Sequence, residues 1–238
     1  MTRGRRAKRR LLIALGLLAT ALFAGLGVWQ IERRAWKLDL IARVEARIHA
    51  PPAPLPARSA WPAVNERDHA YRRVRLQGRF VHGRETLVQA LTAQGAGYWV
   101  MTPLLTGEGA VLVNRGFVPP DRRDPATRRA GQVEGPVTVT GLIRTTEPGG
   151  TFLRANDEAA GRWFSRDVQA IARARGLPDA APFFIDADAW PNPGGWPLGG
   201  LTVVSFRNTH LIYAVTWFAL AALSAIGVAL MLGFRGRR

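Results

Sequence analysis

The sequence predicts an α+β membrane protein in which two transmembrane helices flank one β-rich domain. Three observations support this fold class. A long apolar run lies near each end of the chain, at residues 11–31 and 211–234. Both termini are basic and carry no acidic residue. Between the runs, polar and apolar residues alternate in short stretches, as in β-strands. We therefore expect an antiparallel barrel or sandwich, with one helix, on the extracytoplasmic side of the membrane.

The first apolar run is expected to be a membrane anchor rather than a cleaved signal peptide. Its 21 uncharged residues would form a helix of about 31 Å, the thickness of one hydrocarbon core. The apolar region of a signal peptide is usually only about 7–15 residues long and ends in a small-x-small cleavage site. This run ends instead in Trp29, Gln30 and Ile31. The second run has 24 uncharged residues, which is long enough to span a membrane with some tilt.

The charges beside the two runs predict the orientation. Six cations lie in residues 1–10 and three in residues 235–238. Because basic flanks remain in the cytoplasm, both termini are expected there. The domain formed by residues 32–210 is then periplasmic, and the protein is a multi-pass component of the cell inner membrane. Several cations just beyond the first run weaken the charge asymmetry at that end.

The composition excludes several classes of function. The chain has no cysteine, which rules out disulfides, thiolate metal sites and covalent haem attachment through CxxCH. Its three methionines are too few for a typical copper chaperone. The net charge is +16, but the terminal cations adjoin apolar runs and are better explained by membrane lipid than by nucleic acid. No nucleophile-elbow, zinc-protease or phosphate-loop motif occurs, so we do not expect an enzyme.

The middle of the chain carries first a helical pattern and then strand patterns. A helix is expected to continue from the first run to about residue 49, where a proline-rich linker begins near residues 50–60. Residues 73–80 and 85–91 are predicted to pair around a turn at His82 and Gly83. One helix is expected at residues 165–175, with Ser165 as its N-cap. The remaining predicted strands are residues 98–105 and 110–118, which form a second hairpin, and residues 136–144, 182–186 and 201–207.

His210 is the candidate residue with the most specific chemistry. It lies at the outer end of the second apolar run, where an imidazole is costly without a partner or a ligand. Tyr213 and Trp217 follow three and seven residues later, on the same helix face. An imidazole flanked by aromatic rings suits an axial haem ligand. An interfacial aromatic belt, with His210 bonded to lipid headgroups or water, is the alternative that the residues alone favour.

A second candidate is Arg115, in the sequence Asn114-Arg115-Gly116 at the end of an apolar strand. In a structural role, Gly116 would permit a bulge, Asn114 would cap a turn and Arg115 would pair with a carboxylate. In a functional role, Arg115 would bind an anionic group such as a propionate. The pattern alone favours the structural role. The other histidines are expected to be solvated on the surface: His49, His69 and His82.

Four motifs, taken in order, give the chain a family resemblance. They are LGVWQIERRAWK at residues 26–37, VNRGFVP at 113–119, WFSRD at 163–167 and NTHLIYAVTWF at 208–218. Each motif alone is weak, but together, inside a two-span layout, they are specific. On these motifs the chain resembles the Surfeit locus protein family of cytochrome c oxidase assembly factors over nearly its whole length.

The resemblance implies a non-catalytic role in building the haem–copper centre of the terminal oxidase of the respiratory chain. It implies that the protein binds haem a transiently, as a chaperone, and aids its insertion into the catalytic subunit of cytochrome c oxidase. The enzyme that synthesises haem a is a further candidate partner. In bacterial members a histidine of the second span is implicated in haem binding, which here makes His210 the expected ligand of the haem iron.

The remaining residues of the expected haem site come from both halves of the chain. The macrocycle would lie among the aromatic rings of Trp29, Trp36, Tyr213 and Trp217. Its propionates would pair with an arginine, which could be Arg33, Arg115 or Arg207. Two alternatives remain open. The protein could be a scaffold that holds an oxidase subunit without binding haem, or a membrane-anchored extracytoplasmic enzyme or sensor.

Overall fold

The computed structural model describes residues 3–150, 154–189, 191–202, 206 and 208–233. The chain divides into two compact units, a helix unit of residues 1–43 and 205–238 and a barrel unit of residues 44–204. The helices are α1 (Arg3–His49), α2 (Glu66–His69), α3 (Val168–Ala174) and α4 (His210–Gly233). The strands are β1 (Ala53–Pro54), β2 (Arg73–Phe80), β3 (Thr86–Thr92), β4 (Gly95–Thr106), β5 (Gly109–Val118), β6 (Pro136–Thr145) and β7 (Ala180–Ala187).

Helix α1 contains the first apolar run, and α4 contains residues 211–233 of the second. Both are long and apolar enough to cross a membrane. The prediction that the first helix continues well beyond its apolar run is confirmed, since α1 has 47 residues and ends at His49. Where a bilayer would begin and end along these helices, and which side each terminus would occupy, stay predictions.

Small residues let α1 and α4 pack closely as an antiparallel pair. A Cβ atom added at Gly27 would lie 2.7 Å from the ring of Phe218, and one added at Gly16 would collide with Val228. The hydroxyl of Ser224 donates to the carbonyl oxygen of Gly16 at 2.9 Å. On α1 the residues that contact α4 are Gly16, Phe23, Gly27 and Gln30. Their spacings of seven, four and three residues follow the heptad pattern of helices that cross at a shallow angle.

Five strands close a barrel in the order β2-β6-β7-β5-β4, and β4 pairs back with β2 to complete the ring. Strands β1 and β3 extend the sheet beyond the ring. The expected antiparallel arrangement is wrong at two pairs, because β1–β2 and β5–β7 are parallel. The long connection between β5 and β7, which includes β6 and α3, brings β7 beside β5 in the same direction, as parallel pairing requires.

The two predicted hairpins have different outcomes. The hairpin of β4 and β5 is confirmed, with Thr106 opposite Gly109 at the turn. The predicted pairing of residues 73–80 with 85–91 is wrong, because β2 pairs with β6 along its length and β3 pairs with β4. A single-turn 3₁₀ helix, His82–Arg84, separates β2 from β3 in place of a tight hairpin turn. Of the strand expected at residues 201–207, residues 201, 202 and 206 have no regular structure, and the rest lie outside the described residues.

Strand alternation builds two apolar clusters from the same strands. On β5, Val111 and Val113 belong to the cluster of the barrel interior, whereas Ala110 and Leu112 belong to a second cluster outside it. Helix α3 contributes Val168 and Ile171 to this outer cluster. The barrel is therefore covered by α3 on one side, as expected for a sheet with both faces buried.

Helix α3 confirms the one helix that was predicted in this domain, but its start was placed wrongly. The N-cap is Asp167, whose carboxylate accepts from the backbone N–H of Ala170 at 3.1 Å. The predicted N-cap, Ser165, is used elsewhere: its hydroxyl oxygen accepts from the backbone N–H of Gly150 at 2.9 Å. Serine and aspartate both cap helices well. Because the hydroxyl of Ser165 is engaged by Gly150 in the loop, Asp167 is the residue that caps α3.

Candidate functional site

The centre of the candidate site is a hydrogen bond between His210 and Gln30. Nδ1 of His210, the first residue of α4, lies 2.8 Å from Oε1 of Gln30 on α1. Gln30 is only 9% exposed. Because an amide oxygen accepts and never donates, Nδ1 carries a proton, and in the neutral ring Nε2 then keeps its lone pair. The bond thus fixes the histidine tautomer in which Nε2 can ligate a metal.

The two aromatic residues that follow His210 occupy different environments. The ring of Trp217 is stacked on Phe23 of α1, with centroids 5.7 Å apart and planes inclined by 23°. Tyr213 is 54% exposed on the outside of the helix pair. Trp217 is therefore already engaged between the helices, whereas Tyr213 is open to a ligand near the His210 end of α4.

The remaining predicted residues of α1 form a separate cluster. The guanidinium carbon of Arg33 lies 4.1 Å from the ring centroid of Trp36, and Trp29 and Trp36 are 53% and 48% exposed. Trp29 directly precedes Gln30 in α1, so its side chain is turned about 100° away from that of Gln30 around the helix axis. Among the described residues, no hydrogen bond or ring contact joins this cluster to His210. Its part in holding a macrocycle stays a prediction.

Polar and cationic groups gather where the chain enters α4. The ammonium of Lys37 lies 5.0 Å from the ring centroid of Phe206. The side-chain oxygen of Asn208 is buried and has no hydrogen-bond partner in the described part of the chain. Arg207, which was predicted as a partner of propionates, lies outside the described residues.

Arg115 belongs to the barrel unit, whereas His210 belongs to the helix unit. It is 4% exposed, and its Nη2 donates to Oδ1 of Asn192 at 3.0 Å and to the carbonyl oxygen of Gly131. The guanidinium carbon lies 4.8 Å from the ring centroid of Phe80. Burial away from water lowers the pKa of Arg115 to about 10. The carboxylate partner expected in its structural role is wrong: carbonyl and amide oxygens take that place.

The structural roles predicted for the neighbours of Arg115 are confirmed. Trp99 pairs with Phe117 and the next pair joins Met101 to Asn114, so β5 carries one extra residue and forms a bulge. Gly116 has φ 128°, a conformation that favours glycine. The side-chain oxygen of Asn114 accepts from the backbone N–H of Gly116 at 3.1 Å.

A buried ion cluster around Asp186 was not predicted. The Asp186 carboxylate, 2% exposed, accepts from Asn114 at 2.7 Å, from Arg144 at 2.9 Å and from Arg166 at 3.1 Å. Although burial opposes it, the hydrogen bond from Arg166 to Glu147 and the charge of Asp186 raise the pKa of Arg166. Asn114 and Arg166 come from two different motifs of the family resemblance, so the cluster explains both motifs by packing. The available signal was a charged residue inside two apolar strands, Arg144 in β6 and Asp186 in β7, since buried charges need partners.

His82 also differs from its prediction as a solvated surface residue. Its Nε2 donates to the carbonyl oxygen of Val133 at 3.0 Å, while Nδ1 is buried and unpartnered among the described residues. Burial is the largest cause that lowers the pKa of His82, and the nearby charge of Arg115 adds to it. His49 and His69 make contacts on the surface, as expected, with Glu45 and Asn65.

The fold and this site define a class of protein in which a five-stranded barrel domain is inserted, along the sequence, between two apolar helices. The model of the SURF1 family matches residues 17–222. Surfeit locus protein 1 of Homo sapiens is 40% identical over 83% of this chain and 70% of its own length. The protein of that name from Takifugu rubripes is 38% identical, over 87% of this chain and 90% of its own. The SURF1-like protein of Monosiga brevicollis is 40% identical, over 84% of this chain and 79% of its own length. This chain belongs to the SURF1 family, as its motifs predicted.

Proposed function

We propose that this protein is an assembly factor for the haem–copper terminal oxidase, held in the inner membrane by α1 and α4 with both termini in the cytoplasm and the barrel unit in the periplasm. In this role it binds haem a transiently and aids its insertion into the catalytic subunit of cytochrome c oxidase. The observation that carries the proposal is the Gln30–His210 hydrogen bond, in a chain of the SURF1 family. The bond leaves one imidazole nitrogen available at the end of an apolar helix.

The donor set of the helix unit fits haem better than a bare metal ion. Among the described residues, no group of three or more His, Asp or Glu side chains could hold a metal ion. A lone imidazole suits iron that already has four ligands from a porphyrin, because one axial histidine then suffices. The apolar surroundings of α4 favour a macrocycle, and they disfavour a hydrated cation.

The closed packing of the helix pair supports binding on its outer surface. Phe23 and Trp217 stack between the helices, and Phe218 fills the space beside Gly27. A macrocycle would therefore lie against the exposed side of α4, near Tyr213, and would remain accessible for transfer. Arg33 offers a cation for a propionate from the neighbouring helix surface. Haem a is the cargo in this proposal, and the chain itself acts by binding, orienting and releasing it.

No step of this role requires the chain to catalyse a reaction. The two proposed partners are the catalytic subunit of cytochrome c oxidase, which receives the haem, and the enzyme that synthesises haem a, which supplies it. Lipid contacts the apolar surfaces of α1 and α4, of which many side chains are exposed in the helix unit. Such a surface is costly in water and stable in a bilayer.

The experiment that tests the proposal is an absorption spectrum of the purified, detergent-solubilised protein after co-expression with haem a synthesis. We expect a haem a spectrum for the wild type and its loss in His210→Ala. The matched control is His49→Ala, which removes an exposed histidine and should leave the spectrum unchanged. A haem-free wild type that still promotes oxidase assembly would contradict haem delivery and support the scaffold alternative.

A further inference from the structure

The barrel unit contains a cavity of about 90 Å³ beside Arg115. Its wall is mainly apolar, and the guanidinium of Arg115 brings the only full charge among its described lining residues. One buried water needs about 10–15 Å³ of such space, so the cavity has room for a short organic group. Its lining residues include Phe80, Val133, Val137, Val139, Ala187 and Asn192.

Arg115 is fixed on one side and unsatisfied on the other. Asn192 and Gly131 accept hydrogen bonds from Nη2, and Phe80 lies 4.8 Å from the guanidinium carbon. Nη1 is buried and has no hydrogen-bond partner in the described part of the chain. A buried guanidinium with an unmade hydrogen bond is expensive, and such groups need an explanation in a native protein. An anionic ligand group is the natural acceptor for it.

A second unsatisfied atom lies near the same wall. His82 donates through Nε2 to the carbonyl oxygen of Val133, and its ring lies 5.6 Å from that of Phe80. Nδ1 of His82 is buried without a partner among the described residues. Val133 and Phe80 both line the cavity. Arg115 lines the cavity and His82 contacts two of its lining residues, so two buried nitrogens without described partners lie near one side of it. No described carboxylate bonds to either nitrogen.

We propose that this cavity binds a carboxylate carried on a short apolar arm, with an oxygen on Nη1 of Arg115 and the arm against Val137, Val139 and Ala187. A single cation in an apolar wall suits a monoanion, because a phosphate dianion would remain under-neutralised and poorly hydrated. The site lies in the barrel unit, and the proposal does not rest on haem binding by His210. The carboxylate could come from a free short-chain acid or from a side arm of a larger molecule.

The test is calorimetric titration of the full-length, detergent-solubilised protein with butyrate and with butyramide. The two ligands have the same shape, but only butyrate carries a charge. We expect butyrate to bind at least about tenfold more tightly, since hydrogen bonds to a charged partner are the stronger class. Equal binding of the two ligands, or no binding of either at millimolar concentration, would overturn the proposal and leave a cavity that holds only water.

Variants separate loss of the site from loss of the fold. Arg115→Gln should weaken butyrate binding at least about tenfold, and Val137→Phe should abolish it by filling the cavity while Arg115 stays in place. Arg173→Gln is the matched control, because Arg173 is exposed on α3 and pairs with Glu158. Unchanged butyrate binding in a folded Val137→Phe protein would contradict the assignment.

A second titration identifies the source of the carboxylate. A metal-free porphyrin with two propionate arms is compared with its dimethyl ester, in a His210→Ala background that removes the expected iron ligand. If the free acid displaces butyrate and the ester does not, the site takes the arm of a larger molecule. If neither displaces butyrate, the ligand is a free short-chain acid. Either result could be obtained even if the protein does not deliver haem a. The proposal for this cavity and the proposal for His210 can therefore fail independently of each other.

Discussion

The buried ion pair between Glu85 and Arg128 allows a quantitative prediction about the barrel unit. The side chains of Arg128 and Glu85 are 1% and 5% exposed, and Nη1 of Arg128 lies 3.0 Å from Oε2 of Glu85. The variant Glu85→Gln removes the negative charge and leaves the Arg128 guanidinium buried without its counter-ion. Removing one partner of such a pair costs about 3–5 kcal/mol. Glu85 also offsets the charge of the nearby Arg115, so the loss affects two cations.

The measurement is thermal unfolding of the detergent-solubilised protein, followed by the circular dichroism of its strands. For a unit of this size, about 1 kcal/mol shifts Tm by roughly 2–4 °C, so we expect Glu85→Gln to lower Tm by about 10 °C. Replacing both partners together, Glu85→Leu with Arg128→Met, should recover most of this loss, because no buried charge remains.

The matched control for this prediction is Glu158→Gln. Its partner is Arg173, and the two side chains are 43% and 66% exposed. An exposed pair of this kind contributes less than about 1 kcal/mol, so Tm should hardly change. A Tm shift for Glu85→Gln no larger than that of the control would mean that the buried pair contributes no more than an exposed one. A double variant as unstable as the single one would mean that the unpaired charge is not the cause of the loss.

Three further predictions concern the helix pair and His82. Gln30→Leu removes the acceptor that orients His210, and haem affinity should fall by about 10- to 100-fold in titrations of the purified protein. Gly27→Leu places a side chain where a Cβ would already lie 2.7 Å from the ring of Phe218, and scanning calorimetry should show a loss of about 1–3 kcal/mol. Burial lowers the pKa of His82, so the folded protein binds this proton less tightly than the unfolded chain. Stability should therefore fall as pH drops from the ordinary histidine value of about 6.5 through the lower folded pKa, and the fall should be smaller in His82→Asn when Tm is recorded against pH.

Each of these three predictions has a result that would count against it. Haem affinity unchanged in Gln30→Leu would mean that the Gln30 contact does not orient His210. A Gly27→Leu protein as stable as the wild type would mean that α1 and α4 separate easily. Equal slopes of Tm against pH in the wild type and His82→Asn would mean that another group is responsible for any acid sensitivity.

The features that could be predicted from the sequence depend on local patterns. The apolar runs of α1 and α4 are visible in composition alone, and the hairpin of β4 and β5 is set by alternation around a glycine-containing turn. The bulge at Gly116 could also be predicted from the sequence, because only a few neighbouring residues determine it.

The features that were mispredicted or missed depend on contacts between distant segments. The pairing of β2 with β6, rather than with β3, is decided by closure of the barrel, which leaves no local signature. Asp186 forms hydrogen bonds with residues up to 72 positions away in the sequence. No rule of residue spacing predicts that these residues meet. Gln30 meets His210 across 180 positions, although a glutamine inside an apolar run was itself a signal of a polar partner.

The role proposed for His210 in delivery of haem a can be measured on the oxidase itself, through its haem a content. Cytochrome c oxidase is purified from cells that lack this protein and that carry the wild type, His210→Ala or the His49→Ala control, and haem a is measured per catalytic subunit. We expect full haem a content with the wild type and the control, and a marked deficit with His210→Ala. Full haem a content with His210→Ala would show that delivery of haem a does not depend on this histidine.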